Sequence, residues 1–205
     1  MGRTVAAAFT AAIACAALAA PANAGILTAS ASSCDGSTVT QPFARFGDNA
    51  YYKQIGNFES GTSGWTLSGG AKVVAGNESY KVGGSADAKS VSLPSGSSAT
   101  SPFTCVGLAE PTLRLFAKRN SALLGLVSTL NVQMQVQTSL GLSVWLPVLP
   151  GDLGGSSWHP TLPMPLIANL LTLSATDQTP VRFRITPLLG SWQIDDVYVD
   201  PMRMR

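Results

Sequence analysis

The chain has one histidine, three cysteines and charged side chains at only 12% of its 205 positions. Each scarcity excludes a class of chemistry. His159 sits in the loop-like context Trp158-His159-Pro160, without an acid partner in sequence, so a Ser–His–acid triad and a histidine-rich zinc centre both fail. No G-x-S-x-G nucleophile elbow, G-x-x-x-x-G-K-[ST] phosphate loop or strand-to-helix G-x-G-x-x-G occurs. Thirteen Lys and Arg face eleven Asp and Glu, a net charge of +2. That balance leaves no electrostatic footprint for nucleic acid or an anionic membrane.

What is present begins with an export signature. Arg3 supplies a positive start, Val5 to Ala20 is nearly all apolar, and Pro21-Ala22-Asn23-Ala24 ends in an A-x-A cleavage site. The apolar run is short of the roughly 20 residues a spanning helix needs, and no basic flank follows it. The expectation is a secretory leader over 1–24, an extracellular location, no membrane span after cleavage, and one domain over 25–205. Cys15 leaves with the leader. Cys34 and Cys105 then form an even pair, read as one disulfide of an oxidising compartment. A loop of that length is stabilised by roughly 4 kcal/mol on the chain-entropy account.

Period-two alternation dominates the rest. In Leu130-Asn131-Val132-Gln133-Met134-Gln135-Val136-Gln137 the aliphatics fall on one face and the amides on the other. Thr112–Lys118 and Val181–Ile185 repeat the pattern, that of strands with one buried and one wet face. Shorter strands are expected at Trp65–Ser68, Ala71–Ala75, Ser90–Leu93, Phe103–Val106, Leu142–Leu146 and Trp192–Val199. Many short strands separated by Gly, Pro and Ser indicate an antiparallel sandwich or barrel. Pro165–Leu171 is open between a buried strand and a short helix; apolar pairs at four-residue spacing favour the helix.

Acids are few enough to inspect singly. Glu59 lies in NFESGTSGW, between the core anchors Phe58 and Trp65. Near the other end, SWQIDDVYVD breaks alternation at Asp195-Asp196, since Ile194 and Val197 are three apart. A β-bulge there returns Ile194, Val197 and Val199 to one face and turns an aspartate aside. Such an aspartate needs donors or a cation.

N-F-E-x-G followed by Trp, with a terminal W-x-I-D-D-V, resembles the jelly-roll carbohydrate-binding modules of the galactose-binding-like superfamily. The resemblance implies an all-β antiparallel jelly-roll sandwich whose first and last strands are neighbours. It also implies a structural calcium at their seam, with Glu59 and Asp195 or Asp196 as side-chain ligands, hard oxygens of the kind calcium prefers. The alternative is that Glu59 is a solvated turn residue and the aspartates cap the bulge. GWTLSGGAKVVAGNESYKVGG, SLPSGSSATSPFTCVG and WQIDDVYVDP further resemble a group of short secreted actinobacterial proteins. That likeness bears on fold and location and leaves activity open.

Modules of this kind often bind sugar on the concave face of one sheet. Carried over, the amides of Asn131, Gln133, Gln135 and Gln137 supply donors and acceptors, Arg182 and Arg184 flank them, and Trp145 and Trp158 are the stacking aromatics. The bland alternative is a solvated amide face with Trp145 in the core. Three functions remain: a non-catalytic module for extracellular or cell-wall glycan, a structural or protein-interaction protein of the cell envelope, and a small hydrolase using paired carboxylates. No pair of acids is flanked in a way that marks the last.

Overall fold

The computed structural model describes residues 39–62, 64–122, 128–138, 140–167 and 178–203. The expected leader and Cys34 lie outside them. Seven strands come first: β1 (Val39–Thr40), β2 (Tyr51–Gly56), β3 (Thr66–Ser68), β4 (Lys72–Ala75), β5 (Lys89–Leu93), β6 (Ser98–Thr100) and β7 (Thr104–Gly107). Seven follow: β8 (Thr112–Ala122), β9 (Thr129–Gln137), β10 (Ser143–Asp152), β11 (His159–Pro160), β12 (Met164–Pro165), β13 (Gln178–Leu188) and β14 (Gly190–Arg203). One 3-10 turn, Ala44–Phe46, precedes β2. Among the described residues, no helix is long and apolar enough to cross a membrane.

The strands form two antiparallel sheets. The first is organised around β14: β8 runs along one of its edges, while β5 and β2 share the other. The second is organised around β13 in the same way, with β9 along one edge and β7 and β6 sharing the other. β10 continues the second sheet beyond β9, and β3 continues it beyond β6. Period-two alternation explains why the sheets meet. Leu130, Val132, Met134, Val136, Val181, Phe183 and Ile185 project from the second sheet into the same buried cluster as Leu113, Leu115, Ala117, Val91, Ile194 and Val197 from the first. Each such Val, Leu, Ile, Phe or Met side chain contributes about 1.5–3 kcal/mol on burial.

β8 departs from simple alternation. Phe116 is fully buried and Arg114 nearly so, although both project from the face turned away from the main core. The segment before β2 covers that face. Phe43 stacks on Phe116, and Tyr52 and Tyr198 meet Phe43 edge-on. Arg114 lies over the Phe43 ring and donates to Asp48 Oδ2 at 2.6 Å.

The expected bulge is present. β14 shifts register against β8 between Asp195 and Tyr198, and Ile194, Val197 and Val199 all reach the main core. Pro165 does not open a helix: Met164–Pro165 pairs with β8 as a short strand, and Leu166 N–H donates to Pro111. Pairing holds Pro165 extended. Residues 168–171, the rest of that expectation, lie outside the described residues.

Candidate ligand-binding face and acidic seam

The outer face of the second sheet carries rows of polar side chains set by strand register. Trp145, Gln135 and Arg182 lie opposite one another on β10, β9 and β13. The next outward row runs Pro147, Gln133, Arg184, Thr100 and Thr66 across five strands. Asn131 and Thr186 begin a third. Outward positions are two apart on each strand, so the period that fills the core also builds these rows.

The rows are bonded laterally. Arg184 donates from Nε and Nη2 to Gln133 Oε1 at 3.0 and 2.7 Å, and Arg182 donates from Nε to Gln135 Oε1. Aromatic rings clamp both guanidinium groups. Arg184 lies 4.1 Å from the Trp145 centroid, and Arg182 lies 5.7 Å from it and 5.1 Å from that of Phe103. A guanidinium held by an amide and a ring loses little further freedom when a ligand arrives. Beside Arg184, a groove of about 490 Å³ is lined by Ser98, Asn131, Gln133, Thr186 and Pro147 among others.

The structure brings some of the expected residues together on this face and places others elsewhere. Asn131 and Gln137 are exposed, whereas Gln133 is half-buried and Gln135 buried under the arginines. The Trp145 ring is engaged by arginine and is not a bare platform. Trp158 is not on this face at all. It lies beside the first sheet, packed against the Phe43–Tyr52–Phe116–Tyr198 cluster, with Lys118 over its ring. Its strand neighbour His159 pairs with β8, which carries the whole loop to the opposite side of the sandwich. Phe103 was read only as the start of a strand, yet it is 53% exposed and stands beside Arg182. Its position just after Pro102, ahead of β7, was the available signal.

The acids form a separate site. Asp195 and Asp196 fall where β14 passes from pairing with β5 to pairing with β2, so no strand covers that edge. The loop between β4 and β5 closes the gap. Glu78 N–H donates to Asp195 Oδ2 at 3.0 Å, and the Glu78 carboxylate accepts from the N–H groups of Tyr80 and Val82. Asp196 adopts φ 46°, which aspartate tolerates better than most residues. Its Oδ1 accepts from Gln54 and Tyr198. Burial, then the negative neighbour Asp196, raises the Asp195 pKa; burial, then Glu78 and Asp87, raises that of Asp196.

The three expected calcium ligands differ in availability. Both Asp195 oxygens accept backbone N–H bonds, and Glu59 Oε1 accepts from Ala88 and Lys89. Asp196 Oδ2 is buried with no hydrogen-bond partner, and so is Asp87 Oδ2, which the sequence reading did not single out. A Cβ on Gly83 would stand 2.4 Å from Asp87 Oδ2 and 3.4 Å from Asp196 Oδ1. The glycine therefore leaves space between two carboxylates. Among the described residues, no three His, Cys, Asp or Glu side chains converge as a metal site. A cation here would need backbone oxygens as well.

Cys105 is buried on β7, and its carbonyl accepts from Lys53 Nζ at 3.1 Å. Its expected partner Cys34 lies outside the described residues.

No protein-family model and no curated protein sequence matches the chain. Several solved carbohydrate-binding modules have similar folds. A CBM22 xylan-binding domain from Paenibacillus barcinonensis is 14% identical, with 75% of this chain and 97% of that domain covered and a TM-score of 0.46. A CBM61 module solved with β-1,4-galactotriose is 19% identical, over 70% and 92%, with a TM-score of 0.36. The family 11 module of a cellulosomal cellulase from Clostridium thermocellum is 12% identical, over 73% and 94%, with a TM-score of 0.37.

Proposed function

We propose that this protein is a secreted, non-catalytic jelly-roll module that binds glycan on the outer face of its second sheet. The observation that carries the reading is the set of cross-strand rows in which Gln133, Gln135, Arg182 and Arg184 are held by one another and by Trp145 and Phe103. Preorganised donors and acceptors beside a hydroxyl-lined groove suit a ligand made of hydroxyl groups. Phe103 supplies an exposed ring for an apolar sugar face. The clustered acids Glu78, Asp195 and Asp196 are fully buried, so they do not offer a cleft carboxylate pair to a substrate.

The test is binding of the protein to soluble glycans by calorimetry and to insoluble cell-wall polysaccharides by sedimentation. Saturable binding that disappears on replacing Gln133 and Arg184 together by Ala supports the face. Undiminished binding by that variant rules it out.

A structural calcium belongs to the same reading, with the ligand set revised to Asp87 and Asp196 plus backbone oxygens. Asp87 and Asp196 meet at Gly83, and each keeps a buried Oδ2 without a hydrogen-bond partner, which supports it. A Cys34–Cys105 disulfide and export complete the proposal; counting free thiols in the denatured, unreduced protein tests the former.

A second reading, an envelope protein with a protein partner, is favoured by one feature. The edge strand β10 and its flanks expose Leu142, Leu149 and Leu153 at 64%, 67% and 63%. Substituting Leu142 and Leu153 with Ser separates the readings, because neither lines the groove beside Arg184 and glycan binding on the sheet face would survive it.

A further inference from the structure

We infer that the glycan recognised by this face is acidic, its carboxylates received by Arg182 and Arg184. The inference rests on the glycan-binding reading and names the chemical class of its ligand. Among the described residues, neither arginine has a carboxylate within ion-pair distance; the ion pairs there are Arg114–Asp48 and His159–Asp152. The acceptors of both guanidinium groups are neutral amides, Gln135 and Gln133. Their positive charges are therefore uncompensated on a face whose other outward residues, Trp145, Pro147, Asn131, Thr186, Thr100 and Ser98, carry none.

Donor geometry makes the same point. Each guanidinium has five N–H donors in a planar fork. Arg182 uses only Nε on protein, so its Nη1 and Nη2 edge stays open; Arg184 uses Nε and one N–H of Nη2 on Gln133, leaving Nη1 and the second Nη2 N–H. An open edge of this kind accepts a carboxylate through two parallel bonds, a match that an isolated sugar hydroxyl cannot reproduce. Both side chains are half-buried, so an incoming anion is less screened than at a fully exposed lysine. The arginines are two residues apart on one strand, roughly 7 Å, which lets two acidic groups of one polymer engage together.

The experiment compares matched polymers. Polygalacturonate, alginate and glucuronoxylan are each titrated beside a methyl-esterified or carboxyl-reduced counterpart with the same backbone. The expected result is at least tenfold tighter binding to an acidic form than to its neutral counterpart. That preference should shrink as NaCl is raised from 0.05 to 0.5 M and vanish in R182Q/R184Q. Salt and esterification need no variant, so the test stands even if the double substitution disturbs folding. Equal affinity for acidic and neutral forms overturns the acidic-ligand inference and leaves glycan binding intact. Binding of neutral polymers alone does the same. If no glycan binds and poly-L-glutamate does, both readings fall.

Discussion

The guanidinium carbon of Arg184 stands 4.1 Å from the centroid of the Trp145 ring while its Nε and Nη2 hold the side-chain oxygen of Gln133. One arginine thus ties β13 to β9 by hydrogen bonds and to β10 through an aromatic face. The outward-facing donors keep their direction because three strands fix it.

The first prediction follows from that arrangement. W145A should cost about 1 kcal/mol of stability, as expected for losing a partly exposed cation–π contact. It should weaken glycan binding by about tenfold, since a worth of 1.4 kcal/mol is a factor of ten and Arg184 loses its support as well. Urea unfolding and calorimetric titration on the same preparation separate the two effects. Phe103, being exposed, should show the binding loss with almost no stability loss when changed to Ala.

The acidic seam makes a prediction about calcium. Saturating calcium should raise the melting temperature above that in EDTA, reflecting about 2.7 kcal/mol of added stability at a hundredfold excess over Kd. D87N should abolish the rise. G83A should also remove it, because the new Cβ would occupy the space beside Asp87 Oδ2. A rise that survives both substitutions would place any cation elsewhere.

Asp48 anchors the segment that covers β8. Partial burial works against its charge, but hydrogen bonds from Tyr52 and the Ala50 N–H, with Arg114, hold its pKa below the ordinary carboxylate value. Its stabilisation is present above that ordinary value and is lost as pH falls through the lower folded-state value. D48N should cost about 1–3 kcal/mol, leaving Arg114 without its anion. Hydrogen exchange should show the loss first in the amides of β2.

His159 gives a pH dependence of opposite sign. Its hydrogen bond to Asp152 raises its pKa, burial opposes the shift, and the Ser157 carbonyl assists it. The stabilisation is complete below the ordinary histidine value, about 6.5, and is lost as pH rises through the higher folded-state value. Urea midpoints of the wild type should therefore decline across that window, while H159Q should show a flatter profile there. Loss of the decline in H159Q assigns it to this pair.

Much of the sheet structure was legible from local periodicity. The β9 segment declared both its faces, because an aliphatic–amide alternation has one low-energy burial on a pleated strand. The break at Asp195-Asp196 likewise marked the bulge, since Ile194 and Val197 cannot share a face otherwise. The β8 segment is less legible: alternation alone would put Phe116 on the wet side with Arg114, and only the covering segment from Phe43 to Tyr52 explains its burial. Trp158 misled for the same reason, because nothing local says which sheet a loop returns to.

The chain by itself determined its class and its faces: sparse charge, one histidine and period-two runs specify antiparallel strands with a wet amide side. Those properties depend on neighbours in sequence, which are always present. Which side chains meet was decided only by the tertiary structure. Gln133 faces Arg184 across fifty-one positions of sequence, and the β4–β5 loop brings Asp87 and Gly83 to Asp196. Strand order and register set such pairings, and they minimise the energy of the whole core, so no short window of the sequence contains them.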